Sequence, residues 1–166
     1  MGALEVPELR SAFERANLDS SEWANAAKLV DDMCLEQSIR ASTLGSFTEI
    51  SRVQVYRDPD GASPTKTHLL VVLDVGLVLM REVGVLKKRT DAQFMFFSDF
   101  GNGSFSPQES VGGRGWGHMD IQAAQGSLPL FRLGWYFDER SSDPRHAINA
   151  AAAERDRILA AIQRWT

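Results

Sequence analysis

The sequence predicts an α+β fold in which two N-terminal helices precede an antiparallel barrel or sandwich of about seven strands, closed by a long C-terminal helix. Three observations predict it. Apolar residues recur every three to four positions through residues 1–46, they give way from Phe47 to short β-branched and aromatic runs separated by turn formers, and the helical period returns after Asp143. A chain of 166 residues has single-domain length and on folding hides roughly 70% of its unfolded surface, so neither a metal nor a disulfide is needed for stability.

The first helix places Leu9, Ala12, Phe13 and Ala16 on one stripe after Pro7, and the second places Trp23, Ala26, Ala27, Val30, Met33 and Cys34 on another. Between them "LDSSEW" reads as a helix start: Asp19 caps, Glu22 reaches back, and Leu18 staples to Trp23. Residues 1–46 are therefore expected to form a helical extension packed on the sheet, with 47–166 as the strand domain and its closing helix.

"FTEISRVQVY" reads as a strand, "RDPDGASPTK" as a loop, and "THLLVVL" and "LVLMREV" as a hairpin about "DVG", with Gly76 expected to supply a left-handed turn position. The hairpin is apolar on both faces, so its second face needs a cover, for which the N-terminal helices are the expected source. "QFMFF", a weak segment near "GSFSP", and "GHMDIQAA" supply further strands. In "LPLFRLGWYF" the residues Phe131, Leu133, Trp135 and Phe137 share the expected core face, opposite Arg132, Gly134 and Tyr136.

The closing helix begins at Asp143 as cap with Pro144 in the first turn. Its buried stripe should hold Ile148, Ala151, Ala152, Ile158, Leu159 and Ile162. At 100° per residue Arg155 falls within that stripe, where its guanidinium must snorkel or meet a carboxylate. The run Ala150 to Ala153 reads as a flat face packed close to the sheet.

Composition narrows the function. The net charge of -4 divides as -4 over residues 1–46, -1 over 47–142 and +1 over the last 24, so no segment has the basic balance of general nucleic-acid binding. No apolar run approaches the ~20 residues of a membrane span, and "MGALEVPELR" lacks the features of a secretory leader, which points to a cytoplasmic protein. Cys34 is the single cysteine and reads as a small buried apolar residue.

"SVGGRGWGHMD", Ser110 to Asp120, packs four glycines around Arg114 and Trp116. A phosphate cradle follows a strand and opens a helix, whereas a strand follows here, so the stretch reads as a strand-to-strand connection with Trp116 folding back or standing out as a contact residue. His118 and Asp120 share one strand face and could share a metal, but nothing nominates further ligands; no metal and no cofactor are expected. No nucleophile elbow supports a hydrolytic triad. The cationic group Arg81, Lys87, Lys88 and Arg89 reads as a solvated turn or as an anion or acidic-partner site.

Three stretches, "HLLVVLDVGLVLM", "LPLFRLGWYF" and "AAAAERDRILAAI", set within seven antiparallel strands closed by one helix, resemble the bacterial pleckstrin-homology-like (PH-like) domain family over residues 47–166. That resemblance implies a binding scaffold rather than an enzyme. The family's lipid-binding members use a basic motif in the first strand-to-strand loop. Here that loop is "RDPDGASPTK", in which Asp58 and Asp60 offset Arg57 and Lys66, so no phosphoinositide site is carried over. The expected function is a non-catalytic module for a protein or peptide partner, with Trp116, Arg114, His118, Arg81, Lys87, Lys88 and Arg89 as candidate contacts and homo-oligomerisation left open. The alternative is a helix-grip carrier of a small apolar ligand, which requires an empty interior where a filled one is expected from Phe131, Leu133, Trp135, Ile158 and Ile162. A small enzyme is the third reading.

Overall fold

The computed structural model describes residues 47–56, 67–83, 89–112 and 116–166. The expected N-terminal helices, with Cys34, lie outside the described residues, as does most of the first strand-to-strand loop. The described residues form seven strands: β1 (Phe47–Tyr56), β2 (Thr67–Leu73), β3 (Gly76–Val83), β4 (Arg89–Phe96), β5 (Phe105–Gly112), β6 (Trp116–Gln125) and β7 (Leu128–Asp138). A short 3-10 helix, Phe97–Asp99, follows β4, and one long helix, α1 (Pro144–Gln163), follows β7. The hydrogen-bonded strand order is β4-β3-β2-β1-β7-β6-β5, and the described pairings are antiparallel. Two compact units divide the chain, residues 1–51 with 69–99 and residues 52–68 with 100–166.

In the first unit, β2 and β3 form the expected hairpin, with Leu69 opposite Met80 and Val72 opposite Leu77. Leu70 to Leu73 and Leu77 to Met80 are all buried. Consecutive strand residues point to opposite faces, so both faces of this hairpin are covered, as its unbroken apolar run requires. The expected covering helices fall on residues outside the description. Gly76 does not take the left-handed position expected of it; the positive-φ glycines among the described residues are Gly103 and Gly126. Gly76 is the first residue of β3, and a Cβ there would collide with the Met95 carbonyl of β4, so its lack of a side chain serves close strand approach. β4 starts earlier than "QFMFF" suggests, drawing Arg89 into the ladder opposite Val83 and placing Asp91 opposite Arg81. It ends at Phe96, just before the 3-10 helix, whose first residue Phe97 donates its N–H to the Val75 carbonyl at 3.0 Å.

In the second unit, residues 54–56 of β1 pair with Gly134, Leu133 and Arg132 of β7, and β7 pairs in turn with β6. Alternation along β7 follows the expected faces, with Leu133, Trp135 and Phe137 buried and Arg132 and Tyr136 on the other face half-buried, but Phe131, also expected in the core, is half-buried. The segment near "GSFSP" becomes a full strand, β5, because pairing with β6 continues from Phe105↔Ala123 to Gly112↔Trp116. Tertiary pairing overrides its weak β propensity. The Gly-rich stretch is thereby a connection between antiparallel strands, of which residues 113–115 lie outside the description.

α1 packs on β7, β6 and β5. Asp143 caps it as expected, accepting from the His146 backbone N–H at 3.0 Å, and such caps contribute about 1 kcal/mol. Ile158 and Ile162 are fully buried, as are Ile121 and Leu133 on the sheet, and Trp135 and Phe137 are each 6% exposed. Burying each such side chain stabilises by roughly 1.5–3 kcal/mol. Ile148 and Ala152 are only half-buried. The alanine run is not a flat face: Ala151 is buried but Ala150 and Ala153 are exposed, because four consecutive helical residues wind around most of the cylinder. Arg155 does sit within the buried stripe at 8% exposure. It snorkels to the sheet margin, where Nε donates to Asp156 Oδ1 at 2.8 Å and Nη1 to the Gln108 carbonyl of β5 at 3.4 Å, with Met119 Sδ at 3.6 Å and Glu109 Oε1 at 3.9 Å.

Candidate functional site

The second unit brings polar chemistry together on the face of β1, β7 and β6 opposite the apolar residues of β7. Register dictates this. Tyr56 is opposite Arg132, Gln54 opposite Gly134, Gly134 opposite Asp120, and Tyr136 opposite His118, so Tyr56, Arg132, Tyr136, His118 and Asp120 all point the same way. Asp120 is fully buried and Tyr56 is 3% exposed.

A buried carboxylate needs compensating partners. Asp120 Oδ1 accepts from His118 Nδ1 at 2.6 Å, and Oδ2 lies 3.4 Å from Arg132 Nη1. The His118 ring stacks on Tyr56 at 5.2 Å between centroids and 20° between planes, and it meets Tyr136 edge to face at 5.7 Å. The Arg132 guanidinium lies 5.4 Å from the centre of the Tyr56 ring. Tyr56 donates its hydroxyl proton to the hydroxyl of Tyr136. Burial pushes the Tyr56 hydroxyl far above the usual tyrosine range, and the proton it donates to Tyr136 holds it there. Burial also raises Tyr136, against the opposing effect of the bond it accepts.

The glycine in "LGWYF" makes this geometry possible. A Cβ at position 134 would stand 2.7 Å from Asp120 Oδ1 and 2.9 Å from Tyr56 Cε2. Asp120 and Tyr56 close over the bare backbone between them. Of the cluster, the sequence nominated His118 and its neighbour Asp120; Tyr56 was missed because strand pairing between residues 56 and 132 has no local signal. Alternation in β7 had already placed Arg132 and Tyr136 on this face.

The remaining expected contacts disperse. Trp116 opens β6 opposite Gly112 and Asp138. Arg81 lies in β3 and Arg89 begins β4, both in the first unit. Arg114, Lys87 and Lys88 lie outside the described residues. Among the described residues no group of three or more His, Cys, Asp or Glu could hold a metal ion, and no helix is long and apolar enough to cross a membrane.

A second feature lies beside the first half of α1. An open cleft of about 410 Å³ runs between the helix and β1, β2 and β7, with Val53, Trp135 and Ala151 as its apolar floor and Arg52, Gln54, Thr67 and Glu154 at its polar rim. Gln54 Nε2 donates to Thr67 Oγ1 at 2.8 Å, tying the rim of β1 to the start of β2. Among known proteins, no family model and no curated sequence matches the chain.

Proposed function

We propose that the chain is an interaction module of the PH-like kind that holds an extended peptide segment of a protein partner in the cleft beside α1. The open form of that cleft is the observation that supports the reading: an apolar floor with a polar rim suits side chains and backbone of an extended segment. The interior under α1 is occupied by Ile121, Leu133, Trp135, Ile158 and Ile162, which favours a module over a carrier that encloses an apolar molecule. Seven antiparallel strands followed by one helix is also the order that the PH-like resemblance implies.

Selection of peptides from a random display library against the whole chain, followed by NMR titration with the best peptide, tests the proposal. Shifts centred on Thr67, the Trp135 indole and Ala151, abolished by the cleft-filling change Ala150→Arg, are expected. Peptides whose shifts map elsewhere, selection that yields none, or an apolar molecule retained in native mass spectra would overturn it.

A further inference from the structure

The histidine of the buried cluster is held more tightly than a filler of a polar face requires. Its Nδ1 is fixed by a fully buried carboxylate at 2.6 Å, one ring face lies on Tyr56, and Tyr136 closes the edge. A carboxylate only accepts, so facing it a neutral imidazole carries its proton on Nδ1 and its lone pair on Nε2. That nitrogen makes no hydrogen bond to the described residues, and the side chain keeps 11% exposure. A nucleophilic nitrogen backed by an oriented carboxylate is the arrangement that activates a side chain for covalent chemistry.

We infer that His118 is an acyl-accepting nucleophile, acting through Nε2 on activated acyl esters, with Asp120 as its positioning residue. The Nε2 lone pair forms a bond to the acyl carbon as the carbonyl electrons move to oxygen. When they return, the bond to the leaving oxygen breaks and the leaving group departs as its anion. Asp120 stabilises the imidazolium formed at attack through the Nδ1 proton, and Arg132 Nη1 lies 3.4 Å from the other oxygen of that carboxylate. Solvent water then attacks the acylimidazole, releasing the carboxylic acid and restoring Nε2. This inference goes beyond the peptide reading: the cleft shares Gly134 and Tyr136 with the cluster, but its lining does not include His118.

The chain has three histidines, which makes the test internal. Brief treatment of the folded protein with diethyl pyrocarbonate, read by peptide mass spectrometry, ranks their reactivity. His118 is expected to be modified about tenfold faster than His146, although His146 is the more exposed. Asp120→Asn should bring His118 to or below the rate of His146, and Asp120→Glu should restore part of it. Release of nitrophenolate from p-nitrophenyl acetate should fall to the level of the other two histidines in His118→Gln. Labelling that follows exposure, with His146 first and His118 last, overturns the inference, and so does unchanged ester cleavage in His118→Gln. The labelling order is read on the unaltered protein, so it decides the matter even if an Asp120 variant fails to fold.

Discussion

Replacing Gly134 by alanine separates a glycine required by packing from one tolerated by chance. The new Cβ would lie 2.7 Å from Asp120 Oδ1 and 2.9 Å from Tyr56 Cε2, where comfortable carbon–oxygen contacts begin at about 3.3 Å. The carboxylate must therefore retreat by about 0.6 Å, far enough to stretch its 2.6 Å bond to His118 or to drag the imidazole off Tyr56. Overpacking of this kind costs about 1–3 kcal/mol, and weakening a charge-assisted hydrogen bond adds to it. Against this, alanine in a strand interior gains roughly 0.5–1 kcal/mol over glycine from backbone entropy. A net loss of about 2 kcal/mol corresponds to a fall in Tm of roughly 4–8 °C for a chain of this size. Thermal unfolding followed by circular dichroism measures it, with Gly101→Ala as control, since its Cβ would meet only Ser104 Oγ at 3.8 Å. A Gly134→Ala protein as stable as the parent, or more so, would refute the account of the cluster, because the entropy contribution alone favours alanine.

The chain has two tyrosines, and they are the hydrogen-bonded pair. Both folded-state pKa values are raised by burial. Their contribution to stability is therefore complete below the unfolded tyrosine pKa of about 10 and is lost as pH rises above it. Absorbance at 295 nm should stay flat through pH 10 and rise only together with loss of the far-ultraviolet signal; a separate, earlier rise would contradict the burial of the pair. Arg155→Ala should cost about 1–3 kcal/mol through lost packing and an unsatisfied margin, whereas Glu109→Gln should change stability by no more than about 0.5 kcal/mol because that carboxylate is 74% exposed and 3.9 Å away. Urea denaturation distinguishes the two. Asp143→Ala should destabilise by about 1 kcal/mol through loss of the helix cap, read by the same titration.

Much of the architecture was legible because it is local. The bounds of β1 and β2 coincide with their apolar runs, the cap at Asp143 follows from a short-range rule, and the place of Arg155 on α1 follows from 100° of turn per residue. The failures arise where geometry depends on a neighbour. Gly76 was assigned to a turn because its strand partner, Phe96, is twenty residues away in sequence, and the Met95 carbonyl that crowds it lies beside that partner. β5 looked weak because its pairing with β6 carries it. In the cluster, the two-residue spacing of His118 and Asp120 was readable, but Tyr56 reaches them only through the pairing of β1 with β7, and the meaning of Gly134 emerges only when Asp120 stands opposite it. The alanine run misled because its composition was read without its winding.

The contact from Arg155 to the Gln108 carbonyl bears on how this molecule behaves when crowded. A strand that ends a sheet offers backbone groups to any passing chain, and stacking of such margins is a route to fibrous aggregates. β5 carries Pro107, which has no amide proton to give, and the carbonyl of the next residue is already engaged by α1. The arginine that breaks the oily stripe of the helix thus acts as a guard on that flank, and trimming it should raise turbidity in concentrated solution even where the fold survives.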